Sequence, residues 1–305
     1  MVGVISKNCY DTNPIFSIVI PTYNRREQLK ECLASLFSQI PGRGLFEIIV
    51  IEDGSDCVLC EDKDFGSDTG KIRYITTRHQ GPAAARNLGI KEARGEIVIF
   101  LDDDVIAASG WAKSVIESWK SYPGIDGIGG YIVSDPKDTI CARVSCVFFN
   151  WFLDKAVTKA DYACFMSTCN AGYTKKALIR VNGFDEQFRG AYGEDRDLNA
   201  RILQSGGKMR LTKDMIVYHD RYLSFSRFLT RNFNYGKASF HIYNKHPKFA
   251  RSQFCSYLYL SNSMFYAFEK HREKILACLL LAVSQIATLC GYFVASFTWR
   301  RGNSR

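Results

Sequence analysis

IVIFLDDDVI, residues 97 to 106, joins five apolar residues directly to three aspartates, Asp102, Asp103 and Asp104. The apolar part has the length and the β-branched content of a strand that is buried on both faces. Three adjacent carboxylates repel one another, so a fold that keeps them together is expected to supply a cation or hydrogen-bond donors. The stretch therefore predicts a buried strand that ends at a charged ligand site.

Three further apolar runs upstream also predict strands that are buried on both faces: FSIVI (16–20), FEIIVI (46–51) and IRYIT (72–76). One helical pattern lies between the first two runs, and another lies between the third run and the strand at residues 97–101. The first predicted helix has Asn24 as its N-cap and ends at Pro41 and Gly42, and the second runs from Pro82 to Ala93. Strands that alternate with helices indicate an α/β fold with a mainly parallel sheet, in which ligands bind beyond the carboxyl ends of the strands.

Polar residues follow three of these strands: PTYNR (21–25), EDGSD (52–56) and DDD (102–104). Any one cluster also fits an ordinary turn, since Asp, Asn, Gly and Ser favour turns after strands. Together they bring carboxylates to one edge of the sheet, and Arg86 and Asn87 lie at a helix start, where amides and an arginine suit a phosphate group. A nucleoside diphosphate with a divalent cation between it and the carboxylates would account for both features.

The composition limits the classes to which the chain can belong. It has 305 residues, of which 47% are hydrophobic, enough to bury a sizeable core plus an appendage, and this excludes a disordered protein. The formal net charge of +9 suits an anionic partner, which could be a phosphorylated ligand, a nucleic acid or an anionic membrane surface.

The cysteines and the N-terminus indicate the cellular compartment in which the chain folds. Eleven cysteines are scattered through apolar runs, which indicates buried thiols in a reducing compartment rather than a disulfide framework. Cys57 and Cys60 have CxxC spacing, but no second pair or nearby histidine completes a zinc set. The N-terminal residues lack the pattern of a signal peptide, so we expect this domain to stay in the cytoplasm.

The last part of the chain has a different character, since the segment from Ile275 to Trp299 contains no charged residue. A helix of this length rises about 37 Å, more than a hydrocarbon core of about 30 Å, so we expect it to span a membrane. Ser284, Gln285 and Thr288 in its middle also fit a buried hairpin or an interface helix. Basic and aromatic residues upstream would suit anionic headgroups: Arg227, Arg231, Tyr235, Lys237 and Lys245. No nucleic-acid-binding motif accompanies them, so we expect no nucleic-acid partner.

Five motifs occur in one order: SIVIPTYNR, EIIVIEDGS, GPAAARNLGIKEARGEIVIFLDDD, NGFDEQF and GEDRDLNARILQSGG. In sequence and spacing they resemble a family 2 glycosyltransferase of the GT-A fold, over residues 16 to 225. The resemblance implies a Rossmann-like, mainly parallel sheet flanked by helices, and inverting transfer from a nucleotide sugar.

The resemblance also implies which residues bind the donor and the metal. The expected nucleotide-sugar-binding residues are Pro21, Thr22, Tyr23, Arg25, Asp53, Arg86, Asn87, Asp102 and Asp103. Glu52 stands where the family commonly has a further aspartate, which leaves the base open, with a UDP-sugar favoured. Asp104 is the expected ligand of Mg²⁺ or Mn²⁺, with His219 as a second ligand or as a structural histidine. Asp103 is expected to face solvent between its neighbours.

Acidic residues also begin the helix predicted at residues 193–207, where they would by themselves complement the helix dipole. The resemblance implies that Asp195 deprotonates the acceptor hydroxyl, with Glu194 as the second candidate for this base. It places Asn170 and Asp185 on the acceptor side.

The predicted organisation has five parts: an N-terminal extension (1–15), the GT-A domain (16–225), a basic and aromatic helical region near the membrane (226–274), a membrane-embedded helix (275–299) and a basic tail (300–305). The expected activity is metal-dependent inverting transfer of a sugar to a carbohydrate or lipid-linked acceptor in cell-surface or extracellular polysaccharide synthesis. The alternatives are a polyprenyl-phosphate glycosyl synthase and a non-catalytic, nucleotide-sugar-binding membrane scaffold. The expected location is the membrane, with the catalytic domain in the cytoplasm.

Overall fold

The computed structural model describes residues 14–40, 44–55, 72–157, 162–188, 190, 192–219, 221–254, 268 and 270–303. Within these residues the strands are β1 (Phe16–Thr22), β2 (Phe46–Asp53), β3 (Ile72–Thr77), β4 (Ile97–Leu101), β5 (Ile106–Ala107), β6 (Gly127–Val133), β7 (Asn170–Thr174) and β8 (Met209–Tyr218). The helices are α1 (Arg26–Phe37), α2 (Pro82–Glu92), α3 (Trp111–Ser121), α4 (Ile140–Lys155), α5 (Lys175–Arg180), α6 (Glu194–Gln204), α7 (Phe225–Lys245), α8 (Pro247–Phe254) and α9 (His271–Asn303). Cys57, Cys60, Pro41 and Gly42 lie outside the described residues.

The strands form one sheet in the order β3-β2-β1-β4-β7-β6-β8-β5. Among the described strands, four of the seven pairings are parallel, and the antiparallel ones involve β7 with β4 and β6, and β5 with β8. The prediction of an α/β fold with a mainly parallel sheet is confirmed. The sequence did not reveal β7, which enters between β4 and β6 and reverses the strand direction.

Alternate residues of the central strands pack into two cores, one on each face of the sheet. Ile18 and Ile99 join one core with α1 and α3, whereas Val19 and Val98 join the other with α2 and α6. The prediction of burial on both faces is therefore confirmed for β1, β2 and β4. It is wrong for β3, which is only partly buried because it forms an edge of the sheet.

The two predicted N-terminal helices differ in how well their ends were anticipated. Helix α2 begins at Pro82 as predicted and approaches β1 closely, since a side chain at Gly89 would overlap Val19. Helix α1 begins at Arg26 without a side-chain cap, so the prediction of an Asn24 cap is wrong. Asn24 instead adopts φ 53°, and its amide donates to Ser55 Oγ at 2.9 Å.

The long C-terminal helix α9 packs along α7. The two backbones touch where Gly236 of α7 meets Thr288 and where Gly291 of α9 meets Phe233, because added Cβ atoms would overlap those carbonyl oxygens. Residues His271–Trp299 are long and apolar enough to cross a membrane, with a mean hydropathy of 2.0 in their most apolar window. Only part of the surface of this apolar segment is covered by the rest of the protein.

Candidate active site

A cavity of about 280 Å³ gathers acidic and basic side chains from separate parts of the chain. Its lining includes Arg25 after β1, Arg86 of α2, Asp102 and Asp104 after β4, Glu194 and Asp195 of α6, and His219 after β8. The strands β1 and β4 are neighbours in the sheet, so their carboxyl ends deliver these residues to one edge.

Asp102, Asp104 and His219 form the candidate metal site. One ligand atom from each lies within 4.8 Å of the others. His219 Nε2 is 3.1 Å from Asp104 Oδ1 and 4.0 Å from Asp102 Oδ2. Two carboxylates and one imidazole offer the hard oxygen donors that Mg²⁺ and Mn²⁺ prefer, with a nitrogen ligand that suits Mn²⁺ well. The residues present therefore fit a divalent cation.

The electrostatics of the same group are unusual for a carboxylate cluster. Burial opposes ionisation of Asp104, but His219 and Arg25 outweigh it and hold the pKa of the Asp104 carboxyl well below its usual value. Burial likewise opposes protonation of His219, while Asp104 raises the pKa of its imidazole. Arg25 Nη1 contacts Asp104 Oδ2 at 2.8 Å, so protein cations already relieve part of the repulsion among the aspartates.

Asp103 does not face solvent, and that prediction is wrong. Its carboxylate is buried and accepts hydrogen bonds from Thr22 Oγ1 at 2.8 Å and Arg25 Nη1 at 3.1 Å. Burial, together with the neighbouring Asp104, raises its pKa to about 6. Thr22 is also buried, so both residues join the end of β1 to the loop after β4 rather than reaching into the cavity.

Arg86 lies in the first turns of α2 and is buried between two carboxylates. Its Nη2 donates to Asp102 Oδ1 at 2.8 Å and its Nη1 donates to Glu194 Oε1 at 2.9 Å. Burial, followed by the charge of Asp195, raises the pKa of Glu194 to about 7 against the opposing effect of Arg86. Glu194 thus holds Arg86 in place, while Arg86 links the metal-site strand to helix α6.

Asp195 is better placed than Glu194 to act on a ligand in the cavity. Both residues line the cavity, but the Glu194 carboxylate is held by Arg86. Asp195 Oδ1 accepts a hydrogen bond from the Arg196 amide at 2.7 Å. Burial is the main cause that raises the pKa of its carboxyl. A partly buried carboxylate of raised pKa has the properties of a general base.

Tyr23 and His79 form an exposed aromatic pair beyond the carboxyl ends of β1 and β3, with ring centroids 4.1 Å apart. Sequence reasoning missed His79, although a ring just before the Gly81-Pro82 helix start was a usable signal. Asp53 is buried, and its two oxygens accept from the amides of Gln80 and Gly81. It therefore shapes the turn that carries His79, rather than presenting free oxygens to a base.

Three other predicted residues lie away from the cavity lining. Pro21 is within β1, opposite Ile51 of β2. Asn87 donates to the Phe184 carbonyl and accepts from the Phe184 amide, which fixes a loop on another face. Asp185 lines a second, more open pocket of about 720 Å³, where it pairs with Lys245. Asn87, expected at the nucleotide sugar, and Asp185, expected on the acceptor side, therefore both lie outside the cavity lining.

Asn170 is also misassigned by the sequence, which placed it on the acceptor side. Its side chain is buried, accepts from Trp111 Nε1 at 3.0 Å and donates to the carbonyls of Tyr131 and Met215. Both of its N–H donors and its oxygen are thus used to join β7 to β6, β8 and α3.

Two residues expected at a membrane surface instead line the cavity. Arg231 and Tyr235 of α7 contribute to its wall, as does Arg196 of α6. Arg227 and Lys237 of α7 are exposed. The helical spacing of Arg231 and Tyr235, at i and i+4, was the available signal that they share a face.

Comparison with known proteins agrees with this architecture. The model of the glycosyl transferase family 2 matches residues 17–181, and that of the N-terminal domain of galactosyltransferase matches residues 149–223. The first range covers both the β4 aspartates and the strands that position them.

Two curated relatives show the extent of the likeness. The pre-mycofactocin glycosyltransferase of Mycobacterium tuberculosis (strain ATCC 25618 / H37Rv) is 29% identical over 236 residues, covering 76% of this chain and 48% of that protein. The glycosyltransferase AglE of Haloferax volcanii is 26% identical over 235 residues, covering 76% of this chain and 75% of that protein. The chain thus spans about half the length of the first relative.

Solved structures share the fold at low sequence identity. The mannosyltransferase PcManGT from Pyrobaculum calidifontis, in complex with GDP-Man and Mn²⁺, has a TM-score of 0.66 at 18% identity, covering 96% of this chain and 90% of that chain. TarS 1-349 of S. aureus in complex with UDP-GlcNAc has a TM-score of 0.56 at 16% identity, covering 94% and 92%. The fold is the GT-A type that the motifs predicted, and the chain belongs to glycosyl transferase family 2.

Proposed function

We propose that this protein transfers a sugar, with inversion, from a nucleoside diphosphate donor to a hydroxyl of a carbohydrate or lipid-linked acceptor, with a divalent cation. The observation that carries the proposal is that Asp195 lines the same cavity as the Asp102, Asp104 and His219 cluster. A base and a cation site on one cavity are what displacement of a diphosphate by a hydroxyl requires.

The geometry supports a proposed role for each group. Asp102, Asp104 and His219 would hold Mg²⁺ or Mn²⁺, which neutralises charge on the diphosphate leaving group when bound. The Tyr23 ring on His79 offers a stacking surface for the base of the donor.

Arg86 and Asp195 complete the scheme. Arg86 keeps Asp102 oriented through its hydrogen bond. Asp195 takes the proton of the acceptor hydroxyl as the oxygen attacks the anomeric carbon from the face opposite the diphosphate, and the electron pair of the broken bond leaves with the diphosphate.

The donor base and the biological setting are part of the same proposal. A UDP-sugar donor and a role in cell-surface or extracellular polysaccharide synthesis fit the motif pattern, and GDP-Man and UDP-GlcNAc are bound by structural neighbours. The apolar α9 supports membrane association, with the catalytic domain on the cytoplasmic side, where nucleotide sugars are made.

A second candidate activity is supported by Arg196 and Arg231, which line the cavity beside Asp195. Arginines suit an acceptor phosphate, as in a polyprenyl-phosphate glycosyl synthase, where the acceptor is already ionised and a strong base is not needed.

Replacing Asp195→Asn separates these two activities. For transfer to a hydroxyl we expect loss of nearly all turnover while Mn²⁺-dependent donor binding, measured by calorimetry, persists. Asp185→Asn is the matched control because its carboxylate lies outside the cavity, and it should leave turnover intact. If the Asp195→Asn variant keeps most of its turnover, the hydroxyl mechanism is wrong and the phosphate acceptor is favoured. A wild-type protein that binds a donor but neither transfers nor hydrolyses it would support the scaffold alternative.

A further inference from the structure

The active-site cavity continues away from the carboxylates into a region lined by aromatic side chains. We call this region the apolar arm, and its aromatic residues are Phe148, Phe149, Phe152, Phe165 and Phe228. Phe149 and Phe152 both meet Phe165 edge to face, with centroids 6.2 and 5.3 Å apart. A sugar hydroxyl or a phosphate gains nothing from such a wall, whereas a hydrocarbon chain does.

Helix α9 supplies one side of the same cavity. Ser284, Gln285 and Thr288 line it. Ala277, Leu281 and Ala295 are buried on the same face of the helix. The polar residues in the middle of α9, which in the sequence also fitted a buried hairpin or an interface helix, therefore face the cavity rather than a lipid core.

The opposite face of α9 is apolar and exposed. It carries Leu279, Ile286, Leu289, Phe293 and Phe297, each more than half exposed. These residues form a stripe of about 27 Å at 1.5 Å per residue. A continuous apolar surface of this size marks an interaction site.

The packing of α9 favours a position in the plane of a membrane surface over a spanning one. Gly236 of α7 touches α9 near its middle, and exposed Arg227 and Lys237 lie on either side of Gly236 along α7. If α9 spanned the bilayer, α7 and the charged cavity would enter the hydrocarbon beside it, at high cost. With its inner face on a protein domain and its outer face apolar and exposed, α9 can instead enter a single leaflet with its outer face alone.

Charge at the start of α9 is consistent with this position. Lys270, His271 and Arg272 are exposed at the start of the helix, at the end of the apolar stripe. Basic residues there can meet anionic headgroups while the stripe enters the acyl region of one leaflet. The apolar stripe and the basic residues at its end together favour a bilayer as the occupant.

We propose that α9 lies in one leaflet with its outer face in the lipid and its inner face on the cavity, and that the apolar arm holds the hydrocarbon chain of a membrane-borne acceptor. This rests on the proposed function and narrows its acceptor to an amphiphile with an acyl or isoprenoid chain. The sugar or phosphate head of the acceptor would then reach Asp195 while its chain remains beside α9.

The membrane part is tested by flotation of the full chain with vesicles of phosphatidylcholine, with and without phosphatidylglycerol. We expect wild type to float, more so with the anionic lipid, and the double variant Ile286→Glu, Leu289→Glu to remain at the bottom. Ile179→Glu is the matched control, because Ile179 is 64% exposed on α5 and Ile286 is 61% exposed. If wild type stays at the bottom, or forms dimers by light scattering that the double variant abolishes, the membrane assignment is overturned.

The apolar arm is tested by calorimetric titration with pairs of octyl and methyl glycosides, the two members of each pair carrying the same sugar. UDP and Mn²⁺ are present, and the octyl glycosides are kept below their micellar concentration. We expect the octyl compounds to bind at least about tenfold tighter, because several methylene groups leave water. The preference should fall in Phe149→Ser, persist in Phe149→Leu, and persist in the Ile286→Glu, Leu289→Glu variant. Equal binding of octyl and methyl compounds would overturn the arm assignment.

These readouts separate the inference from the proposed function. Flotation and glycoside binding require no turnover, whereas hydrolysis of a nucleotide sugar in the presence of Mn²⁺ reports the catalytic site alone. A protein that floats and prefers octyl chains but never cleaves a donor keeps the inference and loses the activity. A protein that cleaves donors but binds octyl and methyl glycosides equally keeps the activity and loses the inference.

Discussion

Arg86 and Glu194 form a buried ion pair, with Arg86 Nη1 2.9 Å from Glu194 Oε1, although 108 residues separate them in the sequence. The second nitrogen of the same guanidinium binds Asp102. The pair therefore connects the candidate metal site to the start of α6, on which Asp195 follows Glu194. A change in the charge of Glu194 should therefore alter the electrostatic environment of both Asp102 and Asp195.

The raised pKa of Glu194 predicts how stability depends on pH. Its carboxyl has a pKa of about 7 in the folded protein against an ordinary value of 4.5, so between these values the folded state binds more protons than the unfolded state. The free energy of unfolding should then fall as pH rises through this window. We expect Glu194→Gln to lessen that fall, measured as the melting temperature from pH 5 to pH 8.

Glu117→Gln is the matched control for this titration, since Glu117 is an exposed glutamate on α3. It should reproduce the wild-type pH profile. A Glu194→Gln profile parallel to that of wild type would show that another group titrates in this window, the buried Asp103 carboxyl being the next candidate.

The candidate metal site predicts that substitutions at Asp103 and Asp104 differ in their effect on Mn²⁺ affinity. We expect Asp104→Ala and His219→Ala each to weaken Mn²⁺ binding by at least about tenfold, since loss of supporting residues around a metal already costs that much. Calorimetric titration of Mn²⁺ in the presence of UDP measures the effect.

Asp103→Asn is the control inside the same loop. Asp103 bonds to Thr22 and Arg25 and is not part of the ligand cluster, so its variant should keep Mn²⁺ affinity and lose thermal stability instead. Equal loss of Mn²⁺ affinity in Asp103→Asn and Asp104→Ala would mean that the three carboxylates act as one unit.

The sequence predicted what local pattern controls. The strands β1, β2 and β4, helix α2 and the polar edge all follow from apolar runs and the residues directly after them. The pattern could not say which way each of three consecutive aspartates points, because the loop after β4 has no fixed period. Asp103 turns inward only because Thr22 and Arg25 meet it there.

Long-range partners account for the remaining errors. Asn170 looked like a ligand because its hydrogen-bond partners, Trp111 and Met215, are distant in sequence. In α9, composition showed an uncharged segment, but only its packing on α7 distinguishes a cavity-lining face from an exposed one.

The contact between α7 and α9 predicts the sign of a glycine substitution. At an open helical site, Gly→Ala stabilises by about 1 kcal/mol through helix propensity. At Gly236 the added methyl would overlap the Thr288 carbonyl, and overpacking of this kind costs about 1–3 kcal/mol. We therefore expect Gly236→Ala to lower the melting temperature.

Gly190→Ala is the control, since among the described residues its methyl would meet only Tyr192, at 3.6 Å. It should change the melting temperature little. A stabilised Gly236→Ala variant would mean that α7 and α9 are apart in solution, which would also remove the packing argument for an in-plane α9.

The pair of Tyr23 and His79 predicts a binding defect that spares the chemistry. If the Tyr23 ring, which is 44% exposed, stacks on the base of the donor, Tyr23→Ala should weaken UDP binding at least about fivefold, since stacking of one base on an aromatic ring is worth about 1–3 kcal/mol. Tyr23→Phe should restore most of the affinity because it keeps the ring. Tyr222→Ala, which removes an exposed tyrosine outside the cavity lining, should leave affinity unchanged. Because Tyr23 does not line the cavity around Asp195, saturating donor should return the Tyr23→Ala variant to nearly wild-type kcat. A lower kcat at saturation would instead place this ring close to the reacting sugar.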